Sequence, residues 1–333
     1  MRYQSRMTPP ACNKAGLPAR RSRGRAVLLL CSVLASFIVS AVVQPGFAQD
    51  TASRPKVVAT FSILGDLARN VAGDRAEVVT LVGSNSDIHV YTPTAADAQS
   101  VRSARLLIVN GLGLEGWLPR LIESSGSKAS IVTASNGVAP RKIDADELLS
   151  RHHDPGSLDP HAWQSVANAA IYVANIRNAM VAADPPNADI YKANADAYLA
   201  ILKRLDDDIR DAVAQIPADR RKVISTHAAF GYFAAAYGIT FRAPQGVSTD
   251  SEPSARDIAG LITQIKTEKI PAVFLENISD PRLIRQVAAE SGAAVGGRLY
   301  SDSLTDADGE APTYIQLMGH NIKTIASALS KRS

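Results

Sequence analysis

The sequence predicts an α/β fold of two lobes, each built on a mainly parallel sheet of four strands. Two series of short Val- and Ile-rich runs alternate with helical periodicities. Near-continuous apolar strands joined by helices belong to parallel sheets covered on both faces. A long stretch without glycine or internal proline, residues 186–215, divides the two series.

The first series predicts strands over residues 56–61, 76–82, 105–111 and 130–135, with Gly or Asn nearby. Helices are predicted between them over 63–72, 93–103 and 114–124, with Pro93 in a first turn, where a helix tolerates proline. Residues 162–183 read as a further helix, stopped by Asp184-Pro185-Pro186. In the dividing stretch, Ala197, Tyr198, Ile201, Leu202, Leu205, Ile209, Ala212, Val213 and Ile216 recur at spacings of three and four, and Pro217 ends the pattern. About 30 residues at about 1.5 Å each make a rod roughly 45 Å long. Such a rod can run down two lobes as a stiff backbone; a helical hairpin packed on one lobe satisfies the same pattern. The second series predicts strands over 222–227, 239–245, 272–277 and 294–300, with helices near 229–237, 253–268, 281–291 and 312–329.

With 46% hydrophobic and 20% charged residues, the chain reads as globular rather than disordered. Its net charge of +4 is misleading, because residues 1–48 hold seven basic residues and no acidic one. Removing those seven from 36 Lys+Arg leaves 29 against 32 Asp+Glu. A slightly acidic body with few aromatics offers no phosphate-binding signal, so nucleic acid is excluded as a partner.

The first 48 residues have the order of a secretory signal peptide. Basic residues 20–25 precede 18 uncharged residues, 26–43, and then Pro45 and Gly46-Phe47-Ala48. Cleavage is expected after Ala48, giving an exported, periplasmic product; an uncleaved anchor is the competing reading, since the apolar run nearly spans a bilayer. Arg20-Arg21 permits a twin-arginine route, but the flanks favour general secretion. Both cysteines, Cys12 and Cys31, lie in this segment, so the mature chain has neither disulfide nor thiolate chemistry. Cys31 sits too early in the apolar run for lipid attachment. The expected divisions are a leader over 1–48, a first lobe over 49–185, a connecting helix over 186–216 and a second lobe over 217–333.

Three histidines and one aspartate stand out by position. His89 follows the strand predicted at 76–82, His227 ends the one at 222–227, and Asp302 follows the one ending at Tyr300. Ligands bind at the carboxyl ends of strands in open α/β sheets. His161 lies in a loop that opens a helix. Three imidazoles and a carboxylate suit a borderline-soft divalent ion, zinc above all. Each residue alone is more often a packing or loop residue, and only the fold can bring together positions spread over both lobes. An open coordination position beside a carboxylate base would make a metallohydrolase, whereas four protein ligands close the site and make a binder. The role of Asp302 decides between them. His152-His153-Asp154 reads as an accessory metal tract or an incidental loop, and His320 as part of a solvated helix face.

Gly111-Leu112-Gly113-Leu114-Glu115-Gly116 matches the dinucleotide-binding pattern G-x-G-x-x-G. The next predicted strand ends in Ser135-Asn136-Gly137, with no acid to hold a ribose hydroxyl, so the glycines read as a tight turn.

Four motifs together carry a resemblance. They are His89-Val90-Tyr91-Thr92-Pro93-Thr94, Asp159-Pro160-His161-Ala162-Trp163, residues 225–233 (STHAAFGYF), and Tyr300-Ser301-Asp302. In their order and spacing the chain resembles the metal-binding receptor proteins of ABC importers for zinc and manganese, over nearly all of residues 55–330. The resemblance implies two α/β lobes joined by one long rigid helix, with a metal between them. It implies His89 and His161 as ligands from the first lobe, and His227 and Asp302 from the second. It makes residues 186–215 the connecting helix. It further implies a monomeric carrier that is not an enzyme, with a membrane permease and its ATPase as partners.

Members resembling manganese receptors commonly place a glutamate at the third ligand position, where this chain has His227. Imidazole in place of a hard carboxylate shifts preference toward zinc, with manganese second. The long histidine-rich loop of many zinc receptors is reduced here to His152-His153-Asp154, and their disulfide is missing. An exported zinc-dependent hydrolase and a surface adhesin are the remaining alternatives.

Overall fold

A computed structural model describes residues 54–143 and 157–330. The predicted leader and His152-His153 lie outside them. Strands β1 (Lys56–Phe61), β2 (Glu77–Val82), β3 (Leu106–Val109) and β4 (Ser130–Thr133) form one sheet in the order β2-β1-β3-β4. Every pairing in it is parallel. Helices α1 (Ser62–Ala72), α2 (Ala95–Ser103) and α3 (Leu118–Ser125) connect these strands, and α4 (Val166–Ala183) and α5 (Ala188–Ala214) follow.

The second sheet repeats the arrangement. Strands β5 (Lys222–Ile224), β6 (Thr240–Arg242), β7 (Ala272–Glu276) and β8 (Ala294–Leu299) run parallel in the order β6-β5-β7-β8. Helices α6 (Gly231–Tyr237), α7 (Ala255–Glu268), α8 (Pro281–Ser291) and α9 (Tyr314–Ser330) accompany them. The chain is thus two α/β lobes, as the alternating pattern predicts.

Helix α5 has 27 residues, about 40 Å at about 1.5 Å per residue. It packs on α1 of the first lobe and on α6 and α9 of the second, so it is the connecting helix and not half of a one-lobe hairpin. Its buried stripe is Tyr191, Ala195, Tyr198, Leu202, Leu205, Ile209 and Val213. Ala197 and Ile201, predicted to belong to that stripe, face outward. One continuous core runs from Phe61, Leu64 and Trp163 through Tyr198 and Leu202 to Phe233, Tyr314 and Leu317. The lobes therefore share buried apolar surface, and smaller cores lie on their outer faces.

The departures from the predicted boundaries have local causes. Helix α2 starts after Thr94, whose side chain and that of Asp97 satisfy each other's backbone amides, so Pro93 precedes the cap. Helix α3 starts at Leu118 rather than 114 because residues 114–117 are spent in tight turns, with Gly116 N bonded to the Leu114 carbonyl and Leu118 N to the Glu115 carbonyl, and Pro119 stands in its first turn. Strands β5 and β6 end three residues early, and the chain beyond β5 bends to build the site.

Candidate metal centre

Four loops bring His89, His161, His227 and Asp302 together. His89 follows β2. Its backbone nitrogen donates to Asp87 Oδ1 at 2.8 Å, and Trp117 Nε1 donates to the Ile88 carbonyl at 3.0 Å. Asp87 Oδ2 also accepts from Thr249 Oγ1 of the second lobe.

His161 is fixed by the residues around it. Asp159 Oδ1 accepts from its backbone nitrogen and contacts Nδ1, each at 2.9 Å, while Arg141 Nη1 donates to Asp159 Oδ2 at 3.2 Å. Asn110 Nδ2 holds the carbonyl of Pro160. Trp163 Nε1 and Gln164 Nε2 both donate to the carbonyl of Ser301, tying this loop to that of Asp302.

His227 lies just past β5. The amides of Thr226 and His227 donate to Glu276 Oε1 at 2.7 and 3.1 Å, interrupting the ladder, while His227 keeps a single parallel bridge to Gln245. Glu276 Oε2 lies 2.7 Å from His227 Nδ1. Asp302 follows β8, where Asn321 brackets Tyr300 by bonding both its amide and its carbonyl.

This scaffolding leaves one edge of each ring facing a common point. His89 Nε2 and His227 Nε2 each lie 3.1 Å from Asp302 Oδ2. His161 Nε2 is 3.4 Å from His89 Nε2 and 3.6 Å from Asp302 Oδ1. All four ligand atoms lie within 4.8 Å of one another. A tetrahedral ion with bonds of about 2.0–2.1 Å needs donor separations of about 3.3–3.4 Å. The spacing therefore fits a divalent ion. Asp302 Oδ1 is buried without a hydrogen-bond partner, which is costly unless a cation faces it.

The electrostatics match. Burial disfavours charge on His227, yet Glu276 and then Asp302 outweigh it and hold the imidazole well above its ordinary range. Burial pushes the Asp302 carboxyl up, but His227 and His161 more than reverse this and hold it well below the usual carboxylate value. Glu276 is lowered as well, its burial overcome by His227. Carboxylates behind ligating imidazoles fix the ring orientation and raise donor basicity.

The other sequence candidates stand apart. His320 Nε2 contacts the Arg298 carbonyl at 3.0 Å, away from the cluster. At the start of the glycine motif, the amides of Asn110 and Gly111 donate to the buried carboxylate of Glu115, which places a negative charge inside the turn. Glu276 was not among the sequence candidates. Its signal was a single carboxylate closing an apolar strand at the sheet end that carries His227.

A family model described as zinc-uptake complex component A, periplasmic, matches residues 57–328. The chain is 36% identical over 306 residues to the iron-binding protein YfeA of Yersinia pestis, covering 92% of this chain and 96% of that one. It is 37% identical over 276 residues to the manganese-binding lipoprotein MntA of Halalkalibacterium halodurans, covering 83% and 89%. The periplasmic zinc-binding protein TroA from Treponema pallidum superposes with a TM-score of 0.76 at 31% identity, covering 84% of this chain and all of that one. By the length of these matches and by its fold, the chain belongs to the zinc-uptake component A family, the periplasmic metal-binding receptors of ABC importers, and is a binding protein rather than an enzyme.

Proposed function

We propose that this protein captures a single zinc ion outside the cytoplasmic membrane through His89, His161, His227 and Asp302 and hands it to a membrane permease driven by an ATPase. The observation that carries the reading is the closed four-donor cluster, with Asp302 Oδ1 buried and without a hydrogen bond among the described residues. Four protein donors leave no position for an activated water, which favours holding the ion over hydrolysis. Three imidazoles favour zinc over the harder manganese ion. The relatives named for manganese and iron make manganese the second choice.

Each lobe contributes two donors, residues 49–185 the first pair and 217–333 the second. The leader over residues 1–48 would deliver the chain to the periplasm and be removed after Ala48. Helix α5 and the shared core resist wide hinge opening, so release proceeds by small shifts of loops or lobes.

The test is to express the chain with its own leader, purify it without a tag, and measure its metal content by mass spectrometry. The stripped protein is then titrated with zinc and with manganese. One equivalent of zinc, bound more tightly than manganese, supports the reading. A clear manganese preference keeps the receptor and reverses the ranking. No stoichiometric binding of either ion overturns the reading.

A further inference from the structure

Glu276 ends β7 with only 3% of its surface exposed. Its carboxylate is enclosed by three hydrogen-bond donors and by a close ion-pair contact with His227 Nδ1, a ring nitrogen that makes no hydrogen bond of its own among the described residues. Oε1 accepts from the amides of Thr226 and His227. Oε2 accepts from Ser301 Oγ at 2.6 Å and lies 2.7 Å from His227 Nδ1. One side chain therefore touches the backbone and ring of His227 and the immediate neighbour of Asp302. Those are the two donors that the second lobe supplies.

An ionised carboxylate only accepts, so its place beside Nδ1 calls for the proton on that nitrogen and leaves the Nε2 lone pair facing the centre. We propose that Glu276 is a positioning residue that sets the metal preference of the centre, by fixing the tautomer of His227 and its spacing from Asp302. This rests on the four-donor reading above. Zinc depends on an imidazole nitrogen held at bonding distance. Manganese is served by carboxylate and water, and can replace a misdirected imidazole with solvent.

Glu276→Gln preserves shape while reversing this instruction. The amides of Thr226 and His227 keep the amide oxygen facing them, so the new NH₂ faces Ser301 and His227 Nδ1. A donor at Nδ1 forces the ring proton onto Nε2, into the position of the metal.

The experiment compares zinc and manganese affinities of the full chain and its Glu276→Gln and Ser301→Ala variants by chelator competition, together with the visible spectrum of the cobalt(II)-loaded protein. Glu276→Gln is expected to weaken zinc 10–100-fold, the cost typical of losing such an outer partner. Manganese is expected to fall by a much smaller factor, and the intense bands of four-coordinate cobalt to fade. Ser301→Ala, which removes one arm of the clamp, moves the zinc-to-manganese ratio the same way by less. Equal loss of both metals in Glu276→Gln, or no loss, overturns the proposal. If that variant does not fold, an unchanged ratio in Ser301→Ala overturns it. Failure of the unmutated chain to bind zinc would instead remove the receptor reading itself.

Discussion

A single oxygen of Asp159 governs both the backbone and the ring of His161: Oδ1 lies 2.9 Å from the His161 amide nitrogen and 2.9 Å from its Nδ1. The loop position and the ring orientation are therefore set together, and Nε2 is the nitrogen left to face the cluster. Asp159→Asn is predicted to lower zinc affinity 10–100-fold without unfolding the protein. Chelator competition on the folded variant checks this, and an unchanged affinity would mean that packing alone orients the ring.

Removing a donor should cost more than removing its support. His161→Ala is predicted to fold normally by circular dichroism and to lose at least the 10–100-fold attributed to an outer partner. Calorimetric titration reads the loss. Zinc affinity equal to that of the unmutated chain would take His161 out of the donor set.

Acid and base should act in opposite senses on the stripped and loaded protein. His227 is raised above its ordinary value of 6.5 in the metal-free fold. Its contribution to stability is therefore complete below 6.5 and is lost as pH rises through the higher folded value. Asp302 is lowered from 3.8, so its contribution is present above 3.8 and is lost on acidification through the lower folded value. Between those limits both contributions are complete, and loss of the His227 contribution lowers the Tm of the stripped protein as pH climbs from 6.5. Zinc needs the Nε2 proton gone, so the rise in Tm on adding zinc should grow over the same range. Differential scanning calorimetry with zinc and with a chelator measures both, and a zinc-induced shift independent of pH would contradict the site.

The alternating pattern made the two lobes, the parallel sheets and the long helix legible, because apolar runs and helical periodicity are local. Boundaries were less legible where a distant residue intervenes. The predicted strand through His227 is interrupted after Ile224, where Glu276, 49 residues beyond His227, takes the amides of Thr226 and His227, and His227 keeps only a single parallel bridge to Gln245. Pro93 read as a helix start, but the cap is the Thr94–Asp97 pair, with aspartate where glutamate or glutamine is the usual signal. The four donors could be nominated one by one, yet their meeting depends on four loops from two sheets. The carboxylates behind them were harder still, since Glu276 has no meaning until the fold sets it beside His227.

Helix α5 offers a test of register. Leu202 is 1% exposed and Ile201 is 38% exposed, although both fit the apolar recurrence. Leu202→Ala is predicted to cost about 2–5 kcal/mol of unfolding free energy. Ile201→Ala should stay within about 0.5 kcal/mol. Urea unfolding of both variants separates them, and equal costs would mean that the helix presents a different face to the core.

One ion is predicted to sit among His89, His161, His227 and Asp302. Crystals of the zinc-loaded protein, measured on both sides of the zinc absorption edge, test it most directly. One strong anomalous peak is expected at about 2.0–2.1 Å from the three Nε2 atoms and at about 2.0–2.2 Å from an Asp302 oxygen. A peak elsewhere, or one that leaves out any of the four residues, would contradict it.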